Sequence, residues 1–141
     1  MATRTISIQV NNLKEVTDFL KKTGGRLTNP KVAMDIVGAK GFKDVMQHFR
    51  DEAGPSRKWT PLKRQRKRGG SKVLQDTGRL RQSTRFKTVG NVANIFNNVK
   101  YAGIHNFGGK KIPQRKFMWI SKGAVTSMIK TLARFITTGK A

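Results

Sequence analysis

The chain has 141 residues and no cysteine, which is enough for one domain with a single core and excludes disulfide bonds and thiolate metal sites. Thirty basic residues against seven acidic ones give a formal net charge of +23, a self-repulsion that predicts an anionic partner. No segment has the apolar length of a signal peptide or of a membrane span of about 20 residues, so we expect a soluble protein without a membrane partner.

The first part of the chain is predicted to form a strand and two helices. Residues 6–10 alternate between apolar and polar side chains, which is the period of a half-buried strand. Residues 13–22 carry one apolar stripe after a capping-box pattern, and this predicts a first helix. A second helix is predicted to begin at Asn29-Pro30, since asparagine caps helices and proline suits their first turn, and to end at Gly54-Pro55.

Two features of the second helix need an interpretation. Gly38 and Gly41 are expected to weaken its middle and to bend it. Its carboxylates lie mainly on the polar side of the helix. We favour the interpretation that this side is a solvated face over the alternative that it is an acid-base site. These residues are Asp35, Asp44, Asp51 and Glu52.

A basic loop is predicted at about residues 55–73, because prolines and Gly69-Gly70 interrupt any helix and no core can form from its charges. We expect it to be mobile until DNA or an acidic protein orders it. Its proposed contact residues are Arg57, Lys58, Lys63, Arg64, Arg66, Lys67, Arg68 and Lys72. Trp59 is favoured as an anchor that packs the loop onto the body, with a base-stacking platform as the alternative.

The second part of the chain predicts mostly strands. A short turn carries Leu80, with Asp76 or Thr77 as its cap, and a hairpin follows, turned at Gly90-Asn91. Residues 117–120 read as a final strand, and Ser121 is expected to cap a C-terminal helix. The sequence thus predicts one α+β domain over residues 1–141, with a small antiparallel sheet of three or four strands packed by a long helix and the C-terminal helix.

The densest cluster of special residues lies between the hairpin and the final strand. Tyr101, Ile104 and Phe107 recur every three residues, which puts them on one side of a short helical turn that is expected to pack against another part of the structure. Gly108-Gly109 should end that turn in left-handed dihedrals. Ile112-Pro113 then favours an extended backbone.

The motifs along roughly residues 42–121 occur in an order that resembles the signature of tailed-phage virion morphogenesis and tail completion (head-tail joining) proteins. Asn106 departs from the usual glutamine and Lys116 from the usual proline. The resemblance implies a structural role for the signature residues, a ring (a hexamer is favoured), and neighbouring neck and tail-tube proteins. The signature residues are Trp59, Gly78, Tyr101, His105, Phe107, Gly108, Gly109, Pro113, Arg115 and Phe117.

Enzymatic chemistry has little support in this sequence. His48 and His105 are the only histidines, and neither has the neighbours of a three-ligand metal site or of a nucleophile-base pair. We expect His105 to hydrogen-bond backbone across the turn. The glycines after Phe107 lack the spacing of a nucleotide-binding loop and are interpreted as a hinge. No catalytic residue, metal or cofactor is predicted.

The charge is concentrated in the second part of the chain. Residues 1–54 have a net charge of +3 and residues 55–141 a net charge of +20. This basic segment has no motif of a DNA-reading helix and no zinc-finger spacing. Its charge therefore favours non-specific contact with a nucleic-acid backbone. The leading hypothesis is a structural phage protein of the virion neck or tail top, assembled as a ring in the host cytoplasm, with a basic surface toward DNA or an acidic neighbour. The alternative is a free non-specific nucleic-acid-binding protein of ribosomal or chromosomal type.

Overall fold

The computed structural model describes residues 6–9, 18–19, 22, 30–62, 72–75, 77–89 and 92–138. The strands are β1 (Ile6–Gln9), β2 (Arg85–Val89) and β3 (Val92–Asn97), and the helices are α1 (Pro30–Asp51), α2 (Arg79–Gln82), α3 (Ala102–Phe107) and α4 (Lys122–Thr138). The strands form one antiparallel sheet in the order β1-β3-β2. This confirms the predicted α+β class, with three strands in the sheet.

Two predicted elements fall on residues that are largely undescribed. Most of the predicted helix at 13–22 lies outside the described residues, and those of its residues that are described, 18, 19 and 22, are helical. Gly90 and Asn91 also lie outside them, but β2 and β3 are neighbours in the sheet, as the predicted hairpin requires. Of the helices within the described ranges, none is both long and apolar enough to cross a bilayer.

The chain divides into two compact units. The first unit comprises residues 1–7, 45–85 and 96–119, and the second unit comprises residues 8–44, 86–95 and 120–141. Helix α1 and all three strands contribute residues to both units. A single domain over the whole chain stays a prediction.

In the second unit, the two glycines of α1 allow the helix to approach the sheet closely. A Cβ on Gly38 would lie 2.9 Å from a ring carbon of Phe86, and a Cβ on Gly41 would lie 2.7 Å from the terminal methyl of Ile95. Such distances are shorter than real Cβ contacts, so a larger residue at either position would force the Phe86 or the Ile95 side chain to move. Helix α1 runs unbroken through both positions. From the sequence, these glycines were expected to weaken and bend the helix. In the structure they instead allow close packing of the helix on the sheet.

A carboxylate of α1 fixes the start of α4 within the second unit. The Ser121 hydroxyl accepts a hydrogen bond from the Ala124 N–H at 3.1 Å, so Ser121 is the predicted helix cap. Asp44 accepts two more hydrogen bonds, from the Ser121 N–H and from the Ser121 hydroxyl, both at 2.7 Å. Asp44 thus joins two helices, and the interpretation of its side as a solvated face is wrong at this position.

In the first unit, the predicted strand at 117–120 does not form. The N–H groups of Phe117 and Met118 donate to the side-chain oxygen of Asn106, and the carbonyl of Lys116 accepts from the Trp59 indole. Because side chains already satisfy these backbone groups, the segment needs no strand partner. Phe117 and Met118 are buried without entering the sheet.

The short helix α2 is also capped differently from the prediction. Gly78 is its cap, with φ 71°, and its lack of a side chain permits that left-handed conformation. Thr77 contributes a weaker bond, because its hydroxyl accepts from the Arg79 N–H at 3.3 Å. Asp76, the other predicted cap, lies outside the described residues. Leu80 is buried, as its place in the turn predicted.

The junction at Asp44 generates a stability prediction. Asp44→Ala should lower the free energy of unfolding by about 2–3 kcal/mol, because it removes two charge-assisted hydrogen bonds and leaves the Ser121 N–H without its acceptor. Urea denaturation measures this change. Lys43→Ala, at the exposed neighbouring position, is the control and should change stability by no more than about 0.5 kcal/mol. Equal effects of the two substitutions would contradict the prediction.

Candidate functional site

The helical turn of the signature stretch presents an apolar surface to solvent. Tyr101, the N-cap of α3, and Ile104 and Phe107 within α3 are exposed, with exposed fractions of 38%, 43% and 65%. Ala102 and Asn106 occupy the buried side of the same turn. The predicted one-sided spacing is present, but the three side chains are not packed away as we expected. We call these three residues the apolar knob.

Asn106 connects the turn to the segment that follows it. Its side-chain oxygen accepts hydrogen bonds from the N–H groups of Phe117 at 3.1 Å and Met118 at 3.0 Å, and its carbonyl accepts from the Gln114 side chain at 3.3 Å. The side chain is almost fully buried. Sequence reasoning noted Asn106 only as a departure from glutamine and missed this role.

His105 does not make the side-chain hydrogen bond that we expected. Its carbonyl accepts from the Arg115 N–H at 2.8 Å, whereas its buried Nδ1 has no hydrogen-bond partner among the described residues. The imidazole packs edge-on against Tyr101, with ring centroids 5.8 Å apart. Burial, and then the positive charge of Arg115, lower the pKa of His105 below its ordinary 6.5.

The glycines after α3 behave differently from each other. Gly108 has φ 82° and ψ 168°, a region open almost only to glycine, and a Cβ there would lie 3.2 Å from the Gln114 backbone nitrogen. Gly109 is not in the left-handed region. It forms a tight turn instead, because the Gly109 N–H donates to the Ile112 carbonyl at 2.9 Å and the Ile112 N–H donates back at 3.3 Å.

The turn from Gly109 to Ile112 carries two exposed lysines, Lys110 and Lys111, at its tip. It also lies beside the apolar knob, since a Cβ on Gly109 would be 3.1 Å from the Ile104 side chain. The exposed apolar residues of α3 therefore have basic residues next to them.

Arg115 fastens the start of the basic loop to the body of the first unit. Its guanidinium donates from Nε to the Thr60 carbonyl at 2.9 Å and from a terminal nitrogen to the Pro61 carbonyl at 3.4 Å. The residue is buried, and burial lowers its pKa. Its described partners are backbone carbonyls, so Arg115 acts here as a structural clamp.

Trp59 is the second fastening of the basic loop. Its indole N–H donates to the Lys116 carbonyl at 3.1 Å, and the ring packs edge-on against Phe49. Phe49 in turn contacts Phe117, so the tryptophan is part of the core. This is the anchor arrangement that the sequence favoured over a base-stacking platform.

The structure describes only part of the predicted contact surface. Arg57, Lys58 and Lys72 are exposed, whereas Lys63, Arg64, Arg66, Lys67 and Arg68 lie outside the described residues. Arg57 closes a tight turn, in which the Gly54 N–H donates to the Arg57 carbonyl at 2.8 Å, and Lys58 directly follows that turn. Contact of these residues with DNA or an acidic protein stays a prediction.

A concave surface of about 670 Å³ lies beside the anchored tryptophan. Its floor is built where the chain returns from the basic loop, because the Val73 N–H donates to a Glu52 carboxylate oxygen at 2.6 Å. We call this surface the acidic cleft, since Asp51 and Glu52 are both on its wall. It is lined by Asp51, Glu52, Lys58, Trp59, Thr60, Pro61, Leu62 and Val73.

The chemical groups near the signature do not form a recognisable reaction centre. A smaller pocket of about 260 Å³ is lined by His105, Arg115, Lys72 and Tyr101 among apolar residues, and its described wall has no carboxylate, serine or threonine. His48 is stacked on Trp119 and has a ring nitrogen 3.0 Å from the Trp119 carbonyl. Over the described ranges, no group of three metal-binding side chains occurs.

Comparison with known proteins relates the chain to phage proteins. The profile of the phage virion morphogenesis family matches residues 11–136. A curated protein of Haemophilus influenzae, the Mu-like prophage FluMu G protein 2, is 31% identical over 120 residues, which cover 80% of this chain and 83% of that protein. No solved structure matches the chain significantly.

The double acceptor Asn106 generates a prediction on stability. Asn106→Ala should lower the free energy of unfolding by about 2–4 kcal/mol, because it leaves two buried N–H groups, those of Phe117 and Met118, without a partner. Thermal or urea denaturation measures the loss. Asn98→Ala, at an exposed position nearby, is the control, and a loss at Asn106 no larger than at Asn98 would contradict the assigned role.

The lowered pKa of His105 generates a prediction on pH dependence. The unfolded chain binds this proton near pH 6.5 and the folded chain only at lower pH, so the stability from neutral His105 is complete above about 6.5. It is lost as pH falls toward the folded-state pKa. Between about pH 7 and pH 5, His105→Gln should therefore lose less unfolding free energy than the wild type. Identical pH profiles of the two proteins would contradict this.

Proposed function

Because this chain belongs to the phage virion morphogenesis family, we propose that it completes the virion tail at the neck or tail top and joins it to the head as part of a homo-oligomeric ring. The protein is a structural component of phage virion assembly. The finer placement rests on one observation, the basic surface of the second part of the chain. A hexamer, with neck and tail-tube proteins as neighbours, is the arrangement favoured by the family signature.

The described surface of the first unit supports a basic face. Its exposed cations are Arg50, Arg57, Lys58, Lys72, Arg79, Arg85, Lys100, Lys110 and Lys111. The described acids of the same unit are Asp51 and Glu52, which lie together in the acidic cleft. A ring around a DNA passage needs charge that holds phosphates without reading bases, and this surface has such charge.

A free nucleic-acid-binding protein is the second candidate, because the same basic surface would serve it. The apolar knob favours the ring. A monomer that only tracks phosphates has no use for three adjacent exposed apolar side chains, whereas an assembling subunit does. The two candidates differ in the mass of the protein in solution.

The test is a salt series followed by sedimentation and by DNA binding. The Debye length shrinks from about 30 Å at 0.01 M to about 3 Å at 1 M, so repulsion between basic subunits should weaken and ring formation should increase with salt. DNA binding should weaken over the same series, because salt removes the gain from counterion release. Replacing Arg64, Arg66, Lys67 and Arg68 with serine should reduce both DNA affinity and its salt dependence.

The control variant removes the same number of charges elsewhere, by replacing Lys43, Lys122, Lys130 and Arg134 with serine; all four are exposed residues of the second unit. It should keep most of the DNA affinity, and both variants should stay folded. Equal losses in the two variants would contradict a specific role for the loop. A protein that stays monomeric at every salt concentration but binds DNA would support the second candidate.

A further inference from the structure

The apolar knob is a surface with a shape and a charge of its own. Phe107 is its most exposed residue, and Ile104 continues it toward the turn that carries Lys110 and Lys111. Lys100, directly before Tyr101, adds a third exposed cation. A complementary surface must therefore offer an apolar hollow with carboxylates at its edge.

The acidic cleft of the same unit has these properties. Trp59, Pro61, Leu62 and Val73 give it an apolar lining, and its volume of about 670 Å³ is within the range of sites that enclose apolar groups. Asp51 is exposed at its edge, and its described partner is the neutral Gln47 side chain at 2.9 Å. Lys58 is also on the wall, but neither Asp51 nor Glu52 forms a salt bridge with another described residue.

We propose that the apolar knob of one copy packs into the acidic cleft of the next copy, with Lys110 and Lys111 facing Asp51. The contact joins two different surfaces of identical chains, so it is heterologous and repeats from copy to copy until a ring closes. The inference rests on the proposed ring and names the surfaces that form it.

Charge complementarity favours the knob of a second copy as the ligand of the acidic cleft. The two described acids of the first unit are both in the cleft, so no other described face of this unit offers a carboxylate to the lysines of the knob. The apolar centre of the contact supplies affinity, and the lysines and Asp51 fix its register. Surface ion pairs contribute little, so added salt still favours assembly by screening the more distant repulsion.

The test uses one knob variant and one cleft variant of the full chain. Phe107→Ser removes the exposed apolar tip, and Asp51→Lys puts a like charge opposite the two lysines. At about 0.15 M salt, where the Debye length is about 8 Å and close pairs still interact, each should weaken self-association about tenfold or more by sedimentation. Both positions are exposed, so circular dichroism and thermal unfolding should match the wild type.

Two controls and a rescue make the result specific. Val89→Ser removes an apolar residue that is 61% exposed in the second unit, and Asp35→Lys makes the same charge change as Asp51→Lys on the same helix. Neither should weaken association. Adding Lys110→Glu and Lys111→Glu to Asp51→Lys reverses both sides of the contact and should restore at least part of the affinity.

Mixing distinguishes a heterologous contact from a symmetric one. The knob variant keeps an intact cleft and the cleft variant keeps an intact knob, so a mixture should form one-to-one dimers with the wild-type contact and no rings. Absence of such dimers would overturn the inference, as would weakening by Phe107→Ser without weakening by Asp51→Lys. If both variants form rings as well as the wild type does, the proposed contact is wrong and the proposed ring is retained. If the wild type never associates, the ring itself is wrong.

Discussion

The first unit depends on one buried side chain, the carboxamide of Asn106. Its oxygen holds the N–H groups of Phe117 and Met118, and this places an irregular segment where a strand would otherwise be needed. The segment then supplies the Lys116 carbonyl to Trp59, while Arg115 clamps the loop at Thr60. Arg115 and Lys116, which bind the loop, therefore directly precede the two residues that Asn106 holds.

This arrangement explains which side of α3 is free. Burying Asn106 and Ala102 turns the opposite side of so short a helix outward, so Tyr101, Ile104 and Phe107 are exposed as a geometric consequence. The glycine turn then brings two lysines to that side. Apolar and basic character are thus combined on one surface by local backbone geometry.

Much of the fold could be predicted from periodicity and caps. The α1 start at Pro30, the hairpin β2-β3 and the Ser121 cap of α4 each depend on a local signal that no distant contact overrides. The final strand was predicted wrongly because Phe117 to Ile120 is a short apolar run, and such a run indicates burial but not the partner of its N–H groups. That partner was a side chain eleven residues earlier.

The candidate site was harder to predict for a related reason. The three-residue spacing of the knob indicated one side of a turn, but only the buried Asn106 decides whether that side faces the core or solvent. From the sequence, the His105 side chain was expected to hydrogen-bond backbone across the turn. In the structure that connection is made by the His105 carbonyl, which accepts from the Arg115 N–H. The acidic cleft had no sequence signal, since Asp51 and Val73 are brought together by the return of the chain after the loop.

That return has a consequence for how the protein can vary. The chain is fastened before residue 63 by Trp59 and Arg115, and after residue 71 by the Val73 and Gln75 bonds to Glu52 and Phe49. All of these bonds are made by residues outside the interval, and doubling the length of a loop costs only about 0.6 kcal/mol of closure entropy. Insertions or deletions between residues 63 and 71 should therefore leave these bonds in place, because none of the bonds depends on the length of the chain between them.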